Sequence, residues 1–247
     1  LTDPRAHFQT GAAGYAAFRP TYPAELASAL AALAPDRALA VDVGCGSGQL
    51  TQALAGHFDA VVGVDASAAQ LAEAAPDPRI GYVVGSSDAL PVPDGSAALV
   101  AAAQAAHWFD LPRFYDEVRR VARPGGVVAL VSYGPIEVSG PLADRFRRFY
   151  RDELHRFWPP ERAHVESGYR ELPFPFPGLP MPQLSIDVAW SPERLLGYVR
   201  SWSAAKAALA AGQGGVIEAF EADARALPPD SVIAARFPLA LRVGRVG

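Results

Sequence analysis

Several short apolar runs in this chain end in residues equipped to hold a polar ligand. Leu39 to Val43 runs into Gly44-Cys45-Gly46-Ser47-Gly48, with Asp42 just upstream. Alternate glycines let a backbone turn sharply and let a ligand come close to it. A helix following such a loop presents unpaired N–H groups. A second run, Ala60 to Val64, ends in Asp65. A carboxylate there can accept hydrogen bonds from both hydroxyls of a ribose; the alternative is a cap on Ala66-Ser67. Asp88 follows a third run within Gly85-Ser86-Ser87-Asp88-Ala89-Leu90-Pro91. It suits the exocyclic amine of an adenine, or else is a surface turn residue.

The loop and Asp65 together indicate an adenosine-containing ligand. A dinucleotide brings a pyrophosphate and usually the spacing G-x-G-x-x-G. Here the third glycine comes one residue early, and Asp42 would oppose a dianion. S-adenosyl-L-methionine carries an ammonium, a sulfonium and one carboxylate. Asp42, Asp65, Asp88 and Asp110 match its net positive charge.

These residues need a frame that brings strand ends together. The apolar runs 39–43, 60–64, 82–84, 97–103 and 127–131 read as strands. They alternate with helical segments at 26–33, 49–57, 67–74 and 110–121, which predicts a parallel sheet covered on both faces. Beyond Tyr133 the pattern changes. Pro141 to Trp158 reads as one amphipathic helix, with Leu142, Phe146, Phe149, Leu154 and Phe157 near one face. Residues 172–182 are too proline-rich for regular structure. Leu184 to Ala189 alternates like a strand, 191–210 and 216–226 read as helices, and Arg236 to Val243 as a last strand. The predicted organisation is a single domain over 1–247. It has a lid-like leader (1–22), a cofactor-binding core (36–133) and a helical substrate cap (134–182 and 191–226).

The net charge of −4 opposes sequence-independent nucleic-acid binding, which needs a basic surface. One cysteine, Cys45, excludes an internal disulfide and a cysteine zinc cluster; it reads as a small residue in a tight loop. No apolar run is long enough to span a bilayer. A cytoplasmic setting is expected. His155 and His164 lie among acids, but no spacing there is diagnostic of a metal, and none is expected.

Val-Asp-Val-Gly-Cys-Gly-Ser-Gly, Val-Gly-Val-Asp-Ala-Ser, Gly-Ser-Ser-Asp-Ala-Leu-Pro, Gln-Ala-Ala-His-Trp-Phe and Val-Ala-Arg-Pro-Gly-Gly resemble, in order, the motifs of class I methyltransferases. Tyr15…Arg19-Pro20-Thr21-Tyr22-Pro23, Gln104 to Phe109 and Tyr198 to Ser203 resemble the small-molecule type 11 branch, particularly relatives of trans-aconitate methyltransferase. The resemblance implies a Rossmann-like α/β fold, doubly wound on a mostly parallel seven-stranded sheet, with a helical insertion covering the active-site edge. It implies that Asp42, Gly44, Gly46 and Gly48, with Cys45 between them, hold the methionine half of the cofactor. It places Asp65, Ala66 and Gln70 at the ribose, and Ser87, Asp88 and Ala89 at the adenine. Gln104 and Ala105 would lie near the sulfonium, with Tyr15 and Arg19 in a lid; for Tyr15, packing of the leader is an equal alternative.

Methyl transfer from a sulfonium is an in-line displacement on an activated carbon, so the protein mainly positions and dehydrates. His107-Trp108-Phe109 follow the fourth strand. For a hydroxyl or amine acceptor His107 is the candidate base. For a carboxylate none is needed, and a packed or cofactor-shielding imidazole is the alternative. Trp108 reads as a wall of the substrate pocket. Arg145, Arg147, Arg148, Arg151 and Arg156 either meet an acidic substrate or pair with Asp144 and Asp152 on a wet helix face; pairing is favoured. The expected activity is methyl transfer to a small molecule, with a carboxylate a candidate acceptor. The rivals are a nicotinamide-dependent oxidoreductase and a non-catalytic protein that binds S-adenosylmethionine.

Overall fold

The computed structural model describes residues 20–228 and 230–247. Tyr15 and Arg19 lie outside them. After α1 (Ala24–Leu33), strands and helices alternate: β1 (Leu39–Val43), α2 (Gln49–Ala55), β2 (Ala60–Asp65), α3 (Ala68–Leu71), β3 (Ile80–Val84), β4 (Ala97–Ala103), α4 (Leu111–Val121) and β5 (Ala122–Tyr133). β1 pairs in parallel with β2 and β4, β2 with β3, and β4 with β5, giving the order β3-β2-β1-β4-β5.

Each element follows from its residues. β4 is an uninterrupted run of alanine, leucine and valine, buried along nearly its whole length, as a central parallel strand must be. Asp110 caps α4 through the Arg113 N–H at 3.4 Å, and Phe114, Val118 and Val121 turn inward as their spacing predicts. Leu26, Leu30 and Leu54 pack on one sheet face with Leu99 and Val131. Phe114, Val118, Val100 and Leu130 pack on the other.

Beyond β5 come β6 (Glu137–Val138), α5 (Ala143–Arg148), α6 (Arg162–Glu166), β7 (Ser185–Trp190), α7 (Pro192–Arg200), α8 (Ser203–Ala210), α9 (Gly215–Arg225) and β8 (Ile233–Arg245). β8 serves two sheets. Leu239 to Arg245 run antiparallel to β5, while Ile233 to Pro238 pair antiparallel with β7. The two-residue β6 also pairs with β8, so the described residues form eight strands rather than the expected seven. The proline-rich segment stays irregular, as expected. It lies along β8 through Leu179 N–H to Val243 O (2.8 Å) and Arg245 N–H to Pro177 O (3.0 Å).

Two predicted helices are interrupted. The 141–158 helix stops as α5, then widens over Phe149–Glu153 into a turn closed by Leu154 N–H to the Phe149 carbonyl, five residues back (3.0 Å). Leu142, Phe146 and Phe149 follow helical spacing, but Leu154 comes five positions after Phe149. The extra residue turns Leu154 into the core, where it is fully buried. The 191–210 helix breaks at Trp202, whose extended backbone lets its ring pack among Phe146, Tyr150, Trp158 and Tyr198. Arg145 is not on a wet face either. It bonds Glu153 (3.0 Å) and Asp223 (2.6 Å) and lies 5.4 Å from the Phe220 ring centre.

The Phe149 and Phe220 rings stack at 4.2 Å, both fully buried, at the centre of this second core. Phe149→Ala will cost about 3–5 kcal/mol, seen as a lowered midpoint in denaturant unfolding. A loss below about 1 kcal/mol would show that the cap does not depend on this stack.

Candidate functional site

A cavity of about 660 Å³ opens beyond the carboxyl ends of the parallel strands. The loop after β1 is bound to the end of β2. The Val64 carbonyl accepts from both Gly44 N–H (2.7 Å) and Cys45 N–H (3.1 Å). Asp65 accepts from Gly46 N–H and from Ser67 N–H, each at 2.8 Å. Asp65 thus caps the Ala66-Ser67 turn, and it lines the cavity as a carboxylate with further acceptor capacity.

Two glycines of the loop are required by its surroundings. Gly44 has φ 70°, and a Cβ there would lie 2.5 Å from Ala105 Cβ. Gly48 has φ 83°, and a Cβ there would lie 2.2 Å from the Tyr82 hydroxyl. Gly48 thus packs behind the loop and does not line the cavity, while Gly44, Cys45 and Gly46 do. Burial, reinforced by the charges of Asp42 and Asp65, pushes the Cys45 thiol far above its ordinary range, which disfavours the thiolate.

Asp42 is fully buried at the end of β1 and lines the cavity. Thr51 donates to its Oδ2 at 2.7 Å, while Oδ1 has no hydrogen-bond partner among the described residues. Burial pushes its carboxyl up to about 7, and the charge of Asp65 adds to the shift against the Thr51 hydrogen bond. A buried acceptor left unmatched is costly. The residue belongs to the lining of a cavity whose wall also carries Asp65, Asp88 and Asp110, and no arginine, lysine or histidine among the described residues.

At the β3 end, Asp88 accepts from the Ser86 hydroxyl, which holds its carboxyl below the ordinary value, and from Arg113 at 3.5 Å. Ser87 lines the cavity; Ala89 does not, bonding back to Ser86 O at 3.3 Å. Ala66 and Gln70 line the β2 side. At the β4 end Gln104 holds a left-handed backbone (φ 54°), and its amide donates to the Tyr133 carbonyl at 3.3 Å. Gln104, Ala105 and Trp108 line the cavity.

The expected catalytic and substrate-pocket role of His107 needs correction. The ring does not line the cavity; its Nδ1 meets the Tyr169 hydroxyl at 2.7 Å. Burial, with Arg162 and His164 nearby, holds its pKa down to about 4, which makes it a weak base. Phe109, expected with Trp108 to face the methyl group, lines the cavity, while sequence reasoning missed the wall residues Tyr22, Val84 and Tyr133. Tyr133 ends β5, so the strand-end rule applied to β1 through β4 would have found it. Val84 is 59% exposed at the end of the outermost parallel strand and lines the same cavity as Asp88.

A family model described as a methyltransferase domain matches residues 41–130. The chain is 33% identical over 207 residues to a methyltransferase of Dictyostelium discoideum, covering 82% of this chain and 79% of that one. A Mycobacterium bovis methyltransferase is 38% identical over 125 residues, about half of each chain. Among solved structures, a type II methyltransferase from Anaeromyxobacter dehalogenans is 43% identical with a TM-score of 0.85, covering 93% of this chain and 98% of that one. A Bacillus halodurans structure, 19% identical with a TM-score of 0.53 over 90% of this chain and 99% of that one, shares the fold.

Two outcomes follow from the loop and its acid. Gly44→Ala forces an unfavourable left-handed alanine, about 1–2 kcal/mol, and a collision with Ala105. It will lower the melting temperature and open the loop; an unchanged melting curve would contradict this packing. Asp42 ionises near its ordinary value of 3.8 when unfolded and near 7 when folded. Between those values the folded state binds more protons, so this group's contribution to stability falls as pH rises. Asp42→Asn will therefore flatten the loss of stability from about pH 4 to 7 in denaturant titrations, and an unchanged slope would refute the assignment.

Proposed function

We propose that this chain, which belongs to the class I S-adenosylmethionine-dependent methyltransferases of type 11, passes the cofactor's methyl group to a small molecule. The observation that carries the site reading is the partnerless Oδ1 of buried Asp42, set in an acid-lined cavity. An ammonium group is the donor it lacks. Asp65 would accept from the ribose hydroxyls, already fixed in place by Gly46 and Ser67. Ser87, Asp88 and Val84 would meet the adenine from its polar edge and its apolar face. When bound, the cofactor supplies a methyl group on an electron-poor sulfur. Gln104, Tyr133 and Trp108 would wall the region that the acceptor enters. Aromatic rings there favour a sulfonium by cation–π attraction and keep water out.

The wall residues described include no histidine or lysine, and Asp42 is fully buried and held by Thr51. That favours an acceptor already nucleophilic at neutral pH, and small carboxylic acids head the list. The cofactor's net positive charge would offset the acids of the wall, and the resemblance implies Arg19 as a partner for the cofactor's own carboxylate. The net charge of −4 argues against nucleic acid as the acceptor. No helix among the described residues is long and apolar enough to cross a membrane. The nicotinamide reading is set aside, since an unmatched carboxylate under the loop repels a pyrophosphate.

Calorimetry with S-adenosylhomocysteine tests the cofactor site. One-to-one binding is expected, weakened at least ten-fold by Asp65→Ala, because charge-assisted hydrogen bonds contribute about 1.5–3 kcal/mol each. No binding by the wild type would sink the proposal. Transfer of labelled methyl across acceptor classes, begun with small polycarboxylic acids, then decides the substrate. Binding without transfer to any class would leave a non-catalytic cofactor-binding protein.

A further inference from the structure

Among the described residues, the non-glycine positions with left-handed backbone are Gln104 and Tyr169, at φ 54° and 60°. They converge on one segment. Gln104 begins the stretch that carries Ala105 and the short turn Ala106–Trp108, and Tyr169 reaches that turn from the cap through His107. Strain of this kind persists only where surroundings over-determine it, and it concentrates at functional sites.

Tyr169 is over-determined. Its N–H donates to the His164 carbonyl at 2.8 Å, and its own carbonyl accepts from Arg242 Nη1 at 2.7 Å. Gly168 before it is also left-handed and so close to β8 that a Cβ would come within 2.7 Å of Ala240 Cβ. The fully buried ring therefore aims its hydroxyl at His107 Nδ1. Burial holds the phenol above its ordinary pKa and the imidazole below its own. Both are neutral near pH 7, and in the assigned arrangement the phenol donates to Nδ1, with the ring proton on Nε2.

The turn so anchored matters to the cleft. Ala105 is the methyl that Gly44 must avoid, and Trp108, its ring 4.8 Å from that of His107, lines the cavity. We propose that Tyr169 is a positioning residue, which through His107 fixes the turn Ala106–Trp108 against the cofactor loop and so joins the cap to the cofactor site. This rests on the reading of the cleft as an S-adenosylmethionine site. Without the anchor, the turn samples other positions, and apparent affinity falls in proportion to the fraction still competent.

The test is S-adenosylhomocysteine calorimetry on the full chain with both ends of the bond varied. Tyr169→Phe is expected to weaken binding about ten-fold. His107→Leu should weaken it as much, while His107→Asn, whose side-chain oxygen can replace Nδ1 as acceptor, should stay within three-fold of wild type. Nitrogen-15 NMR should show one His107 tautomer, protonated at Nε2, in the wild type and a mixture in Tyr169→Phe. Tyr169→Phe within two-fold of wild type, or His107→Asn as weak as His107→Leu, overturns the proposal. If Tyr169→Phe does not fold, the two His107 variants decide alone. A wild type that takes no S-adenosylhomocysteine defeats both this inference and the cofactor reading; a binding wild type with indifferent variants defeats this inference only.

Discussion

The site depends on the way the end of β2 holds the loop after β1. One carbonyl, Val64 O, takes two successive N–H groups of the loop, and the next residue, Asp65, takes a third. The parallel register places them there: Val43 lies opposite Val64, so the chain leaving β1 passes directly over the end of its neighbour. A loop of left-handed glycines has little shape of its own. Here its shape is imposed by three hydrogen bonds from an adjacent strand and by Ala105 on the far side. The acids then fall into place, because each stands at the end of, or just beyond, a strand that the same sheet aligns.

Much of this was legible from the chain. Strands ending in glycine or aspartate, separated by helical spacing, gave the parallel core and most of the cavity wall. The failures have physical causes. A fixed helical period could not show that Leu154 sits one residue out of step, or that the backbone widens to accommodate it. Alternation near 236–243 marked a strand but could not show that it extends at both ends and serves two sheets, because pairing partners are not encoded in local spacing. His107 looked like a base because its ordinary pKa suits one. Its burial and its Tyr169 partner come from a segment far along the chain, which no local pattern connects to it.

Asp42 shows the tension between stability and binding in this cleft. A carboxylate placed in the core with half of its hydrogen-bonding capacity unmet resists ionisation. Burial pushes the carboxyl up to about 7, so protonation eases that cost near neutrality. On the proposed reading, this unfavourable element of the free protein would favour a cationic ligand, as preorganised sites often require.

β8 has a consequence for the order in which the molecule is made. It pairs along β5, yet about a hundred residues separate the end of β5 from its start. A ribosome delivers the first five strands, with their cofactor loop, long before the strand that closes their open edge. Until then the nascent core presents unpaired backbone along β5, the kind of edge on which chains aggregate. The same late strand organises the cap by pairing with β7. The parallel core and the region beyond β5 are therefore completed by one event, and the vulnerable interval in biosynthesis is the one before β8 emerges.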